Sequence, residues 1–204
     1  MYKTVGKRLL DFLAAVTLLV ALSPVLFIVS ILLFIVNDRK VFFYQQRPGK
    51  HEKVFSIIKF KTMTDATDED GNLLLDKDRL TPVGKFVRKA SIDEIPQLIN
   101  VLKGEMSLIG PRPLLIRYLP YYNAQEQKRH SVLPGITGLA QVSGRNMLNW
   151  DDRLAKDKEY VENISFLLDL KIFFLTIKNV MSSKDTAIDP QSLMLDLDEY
   201  REKA

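Results

Sequence analysis

From Phe12 to Val36 the chain carries no charged residue. The run "FLAAVTLLVALSPVLFIVSILLFIV" is too long for a signal peptide and continues far past any small-residue cleavage site. As one straight helix, at about 1.5 Å per residue, it would reach roughly 37 Å, enough to span a bilayer. Two features favour another reading. Ser23 and Pro24 sit at its middle, where proline deletes a helical hydrogen bond and kinks the axis. Each leg is then about 20 Å long, short of a hydrocarbon core of roughly 30 Å. Basic residues also flank both ends, Lys3, Lys7 and Arg8 before and Arg39 and Lys40 after. The positive-inside rule is best met if both ends stay cytoplasmic. We read a re-entrant helix-break-helix hairpin, broken at Ser23 and Pro24, that dips into one leaflet and returns.

Further along, "VFFYQQR" and "KVFSIIKFKTM" flank "PGKHE" and predict two strands joined by a turn. Lys59 and Lys61 fall on one strand face and Phe60 on the other. The acidic segment "DATDEDGNLLLDKD" has Ala66 where an EF-hand needs its first carboxylate, so it reads as a solvated loop. Thr81 to Lys103 predicts a helix in two pieces, ended by Gly104. "YNAQEQKRH" predicts a short helix. "HSVLPGITGLAQVSGRN" is turn-rich, with Gly135, Gly138 and Gly144 permitting unusual backbone angles. "WDDRLAKDKEYVEN" reads as an exposed helix. "ISFLLDLKIFFLTIKNVM" is strongly apolar yet holds Asp169, Lys171 and Lys178. It suits either a buried core helix or one lying on the membrane surface, and we favour the surface, where the hairpin would hold the body.

Composition narrows the chemistry. The chain has 204 residues with 47% hydrophobic content, enough for a real core. It has no cysteine, which excludes disulfides, thiolate metal sites and a cysteine nucleophile. Two histidines, His51 and His130, make a multi-histidine zinc site improbable. Net charge is +4, and the acidic excess of residues 183–204 leaves +7 on the rest. A basic body suits nucleic acid, anionic lipid or a phosphorylated substrate.

The stretch "SIDEIPQL" sets Asp93 beside Glu94. Ser91 with Glu94 three residues on spells a capping box, which alone would explain both acids. Pro96 weakens that reading: at the fifth helical position it deletes one backbone hydrogen bond and crowds the preceding turn; the helix then begins later and the acids sit ahead of it. Adjacent helical residues do not face each other, so two working acids would have different tasks. Arg112 lies between Pro111 and Pro113, a backbone held extended, and a guanidinium fixed this way meets phosphate in a bidentate fork. Arg145 follows Gly144, Arg47 precedes Pro48-Gly49, and Arg88 lies near the acids. Each alone is ordinary surface charge; together they make a pyrophosphate site credible. Acids beside such arginines can bind Mg²⁺ when substrate phosphates complete its shell, and an aspartate can carry a covalent phosphoryl group.

These residues resemble the bacterial sugar transferases, the small monotopic polyprenol-phosphate phosphoglycosyl transferases. The likeness runs from about Lys7 to Val180 through "KRLLD", the Ser23-Pro24 pair, "QQRPG", "FKTM", "SIDEIPQLINVLKGEMSLIGPRP", "PGITGLAQVSGRN" and "NISFLLDLKI". Leu139 departs from it, standing where many members have Trp. The resemblance implies that Asp93 is the nucleophile and Glu94 the Mg²⁺ ligand. It also implies that Arg88, Arg112 and Arg145 grip the phosphates and nucleotide, and we place Lys59 and Pro111 with them as substrate-binding. The reaction it implies moves a sugar-1-phosphate from a UDP-sugar, expected to be N-acetylated, to polyprenol phosphate, with release of UMP. The enzyme would act on the cytoplasmic face of the bacterial inner membrane, in contact with membrane lipid; a homodimer is open. The rivals are a membrane-anchored binding module for anionic ligands and a nucleic-acid binder. Neither explains the paired acids, and no basic recognition helix or stacking platform supports nucleic acid. The expected fold is α+β and mainly helical, with a short β-hairpin and interfacial amphipathic helices. The expected division is 1–38 membrane hairpin, 39–182 catalytic domain and 183–204 acidic tail, to which no role carries over.

Overall fold

The computed structural model describes residues 2–144, 148–182 and 195–203. After one π-helical turn at Tyr2–Gly6, helix α1 runs from Lys7 to Val36. Helical structure continues through Pro24 rather than ending there. The cause is local. Pro24 has no N–H for the Val20 carbonyl, and Ser23 Oγ donates to that carbonyl instead, at 2.8 Å. Both ends of α1 are fastened to the same folded body. Near its start, Arg8 donates to the carbonyls of Val101 and, at 2.9 Å, Leu102. Asp11 accepts from Ser107 Oγ at 2.7 Å and Leu108 N at 3.2 Å. Near its end, Val29 and Leu33 are buried against Phe60 and Val87, and Asn37 donates to the Lys61 carbonyl. Between these ties, large apolar side chains such as Val20, Phe27, Ile28 and Ile35 are exposed.

The predicted hairpin forms as drawn. Strands β1 (Phe42–Pro48) and β2 (Val54–Phe60) pair antiparallel, with Phe43 opposite Lys59. The loop beyond holds a single turn, α2 (Asp76–Arg79). Helix α3 (Pro82–Lys89) is capped by Thr81, whose hydroxyl accepts from Gly84 N at 2.9 Å, and has proline at its first position. Helix α4 (Leu98–Lys103) stops at Gly104, which takes the left-handed φ of 85° that ends helices. Leu98, Val101 and Met106 pack with Phe55 and Ile57 of β2 and Ala15 of α1, the core beneath the site.

A second, parallel pair went unanticipated: β3 (Ser107–Ile109) against β4 (Gly135–Thr137). Three residues are too few to show a period. Here the glycines act through space rather than angle. A Cβ on Gly135 would lie 2.1 Å from Gly110 N, and one on Gly138 would lie 2.1 Å from Gly110 O. Among the described glycines only Gly71 and Gly104 take a left-handed φ.

Helices α5 (Leu139–Ser143), α6 (Trp150–Asn163) and α7 (Phe166–Met181) follow, and α8 (Leu197–Lys203) closes the described chain. Helix α6, read as exposed, buries one face: Trp150, Leu154, Asp157 and Tyr160. Helix α7 inverts the pattern of a soluble helix. It buries Asp169 and Ile172 and exposes Phe166, Leu167, Phe173, Phe174 and Met181. Asp169 is buried because Lys7 Nζ at 2.6 Å and the hydroxyls of Tyr2 and Tyr160 surround its carboxylate.

Candidate active site

The two acids do not sit in a capping box. Ser91 adopts a left-handed φ of 56° and makes no side-chain cap bond. A 3-10 turn, Ile92–Gln97, carries Asp93 and Glu94, and α4 begins only after Pro96. The turn faces both acids into a cleft of about 830 Å³. Lys59 reaches the same cleft from β2, Arg88 from α3, and Arg112 from the loop after β3. The expected site residues Lys59, Arg88, Asp93, Glu94 and Arg112 therefore converge.

Their environments are unequal. Glu94 Oε1 accepts from Lys59 Nζ at 2.8 Å and Arg112 Nη2 at 2.6 Å, while Oε2 has only a 3.4 Å contact with Arg112 Nη1. Its side chain is 19% exposed. Burial opposes ionisation of Glu94, but the charges and hydrogen bonds of Arg112 and Lys59 outweigh it and hold the carboxyl well below the usual range. The Asp93 carboxylate accepts no hydrogen bond among the described residues. Burial first, and then the charge of Glu94, push its pKa up; Lys59, Arg88 and Arg112 offset this only in part. One carboxylate is clamped as an anion. The other is left uncommitted, facing the cleft.

Arg112 is supported from behind. Its carbonyl accepts from Arg129 Nη2 at 2.6 Å, and the Pro111 carbonyl accepts from Gly135 N at 2.9 Å. Pro111 thus acts as a brace of the loop in this structure. Arg129, with a side chain 2% exposed, pairs with buried Asp157 at 2.9 Å and with the Tyr122 hydroxyl at 3.1 Å. Neither Arg129 nor Asp157 stood out in the sequence. The available signal was α6 itself, where Trp150, Leu154, Asp157 and Tyr160 recur at the spacing of a helical face. Arg88 donates from Nε to Thr62 Oγ1 at 2.9 Å, with Nη2 3.3 Å from Met63 Sδ. Arg47 is half-buried and donates to Gln45 Oε1; loss of solvent, then the charge of Arg112, lower its pKa to about 10. Arg145 lies outside the described residues.

Away from the charges the cleft turns apolar, with Leu18 and Leu22 of α1, Phe43 of β1, and Phe173 and Val180 of α7. Among the described residues no group of three or more acids or histidines is arranged to hold a metal ion, so a cage of protein ligands alone is not formed. The donor set still suits Mg²⁺, which is held by one or two carboxylates with substrate phosphates and water. Glu94 Oε2, with its one long contact, is the oxygen that fits.

An uncommitted carboxylate beside guanidinium groups, with an adjoining apolar wall, suits a ligand that carries both phosphate and an apolar part. The bacterial sugar transferase model matches residues 2–183, and the chain belongs to that family. It is similar to the uncharacterized sugar transferase EpsL of Bacillus subtilis (strain 168), at 51% identity over 178 residues, 87% of this chain and 88% of the relative. It is 38% identical over 183 residues to the UDP-glucose:undecaprenyl-phosphate glucose-1-phosphate transferase of Klebsiella pneumoniae, covering 85% of this chain and 39% of that one. It is also 39% identical over 188 residues to the UDP-N-acetylgalactosamine-undecaprenyl-phosphate N-acetylgalactosaminephosphotransferase of Aeromonas hydrophila, covering 86% and 44%. The chain thus spans less than half the length of these two relatives.

Proposed function

We propose that the protein transfers a sugar-1-phosphate from a UDP-sugar to polyprenol phosphate through a covalent intermediate on Asp93. The carrying observation is the division of labour between the acids: Glu94 is fixed by Lys59 and Arg112, while the Asp93 carboxylate faces the cleft without a hydrogen bond from the described residues. In the first step an Asp93 oxygen attacks the β-phosphorus. An acyl phosphate bond forms, the bond between that phosphorus and the bridging oxygen breaks, and UMP leaves with the electron pair. In the second step an oxygen of polyprenol phosphate attacks the same phosphorus, the Asp93 carboxylate leaves, and a polyprenyl-diphosphate sugar results. Arg112 and Arg88, with Arg145 by resemblance, would hold the phosphates and nucleotide, and Lys59 would keep Glu94 in place. Glu94 would hold Mg²⁺, which when bound offsets phosphate charge.

The acceptor's lipid fits the apolar side of the cleft, and this bears on topology. Because both ends of α1 bind one polar body, we place both on the cytoplasmic side of the inner membrane, with α1 re-entrant and the exposed face of α7 on the lipid surface. Single cysteines at positions 3 and 40 of this cysteine-free chain should label from the same side with an impermeant reagent; labelling from opposite sides overturns this topology.

The donor is proposed to be N-acetylated, as in the name of the Aeromonas relative, whereas the Klebsiella relative's name specifies glucose. UMP release from a panel of UDP-sugars, with polyprenol phosphate and Mg²⁺, decides this. Release from none of them would return the protein to a binding role.

A further inference from the structure

The last described residues pack as a strap over Tyr118 and the start of α6. They lie beyond the family match, which ends at residue 183. Leu197 is fully buried, in one cluster with Leu114, Tyr118, Trp150 and Leu154. The Leu195 carbonyl accepts from Trp150 Nε1 at 2.9 Å, and Asp196 accepts from the Tyr118 hydroxyl at 2.6 Å. Ion pairs fasten both edges: Arg117 with Asp196 and Asp198, and Arg201 with Glu126 at 2.6 Å and Asp151 at 3.0 Å.

What the strap touches matters for the cleft. The Arg153 guanidinium lies 4.8 Å from the Trp150 ring centre, and Arg153 lines the cleft with Asp93 and Arg112. Leu114 lines it too, two residues after Arg112. Leu197 therefore sits beneath two side chains whose neighbours face the substrate. An arginine loses less order on binding when its stem and ring are already fixed.

We propose that residues 195–203 are a positioning strap: Leu197, through Trp150 and Leu114, holds Arg153 and Arg112 in register for a nucleoside diphosphate. The proposal rests on the cleft being the nucleotide site. Trp150 is the single tryptophan of the chain, so its emission reports directly whether the strap is docked.

Three variants test it: Leu197→Asp, Leu197→Met and a chain ending at Met194. UDP affinity is measured by calorimetry, and kcat and KM by UMP release. Leu197→Asp and the shortened chain should red-shift Trp150 emission and weaken UDP by about tenfold, roughly the loss of one hydrogen bond to a charged group. KM for the UDP-sugar should rise more than kcat falls, while KM for polyprenol phosphate holds. Leu197→Met should match wild type, and a peptide of residues 195–203 added to the shortened chain should restore both readouts. Wild-type UDP affinity beside a red-shifted emission would reduce the strap to an inert appendage. Should the shortened chain not fold, Asp196→Ala removes the acceptors of Tyr118 and Arg117, and unchanged UDP binding beside a red-shifted Trp150 emission there overturns the proposal equally. If wild type binds UDP but releases UMP from no UDP-sugar, the transfer reaction falls while the strap stands. If wild type does not bind UDP, the strap falls.

Discussion

Asp93→Asn is expected to lower turnover by at least about a thousandfold, as loss of a covalent nucleophile does, in a protein that melts where wild type does. The fold should survive because the Asp93 carboxylate accepts no hydrogen bond among the described residues, and asparagine has nearly the same volume. Wild type incubated with its UDP-sugar and no lipid should show a phosphosugar adduct on the peptide containing Asp93 by mass spectrometry, lost on adding polyprenol phosphate. The pH profile carries the same information. Only the ionised carboxylate attacks, and burial with the neighbouring charge of Glu94 raises the Asp93 pKa. Activity should therefore fall, as pH drops, at values where an ordinary aspartate, with a pKa of about 3.9, is still ionised. Glu94→Gln removes the like charge, so the acid limb of its residual activity should move to lower pH. An active Asp93→Asn enzyme would end the covalent mechanism.

Arg112→Lys should cost about a hundredfold to a thousandfold in kcat, the usual scale for losing an oriented donor in a reacting centre. Charge is kept; the fork is not. The arginine reaches Glu94 Oε1 from Nη2 at 2.6 Å while Nη1 stays 3.4 Å from Oε2, and one ammonium cannot reproduce both directions. Its side chain is 42% exposed, so the melting temperature should change little, and steady-state kinetics beside a thermal melt separates the two roles. Wild-type turnover in Arg112→Lys would make this arginine a bystander.

Much of this arrangement was legible in the sequence where the signal was long or chemically rare. The β1–β2 hairpin announced itself through aromatic and branched residues around a turn, and the stop at Gly104 through helix-ending chemistry. The paired acids and the proline-flanked arginine stood out because such groupings seldom arise for packing alone. Other parts were hidden for physical reasons. Strands β3 and β4 are held by backbone contacts that need no side-chain period. Ser91 has the residue type of a cap, yet its left-handed backbone points the hydroxyl elsewhere. Pro24 looks like a break until the Ser23 hydroxyl is seen to serve the carbonyl that proline abandons. Buried Arg129 and Asp157 are charged residues in charged segments, and burial is what sequence shows least. The sequence marks residues 183–204 only as acidic, whereas Leu197 within them is fully buried.

The meeting of Gly110, Gly135 and Gly138 limits how this protein can diverge. At this junction main chain presses on main chain, so the loop bearing Arg112 rests here on backbone rather than on exchangeable side chains. A larger residue at Gly135 or Gly138 would push against a peptide rather than against a movable group. The reacting centre is thus set as a fixed gauge. On the proposed reaction, a change of donor would have to come from the surrounding walls rather than from this junction.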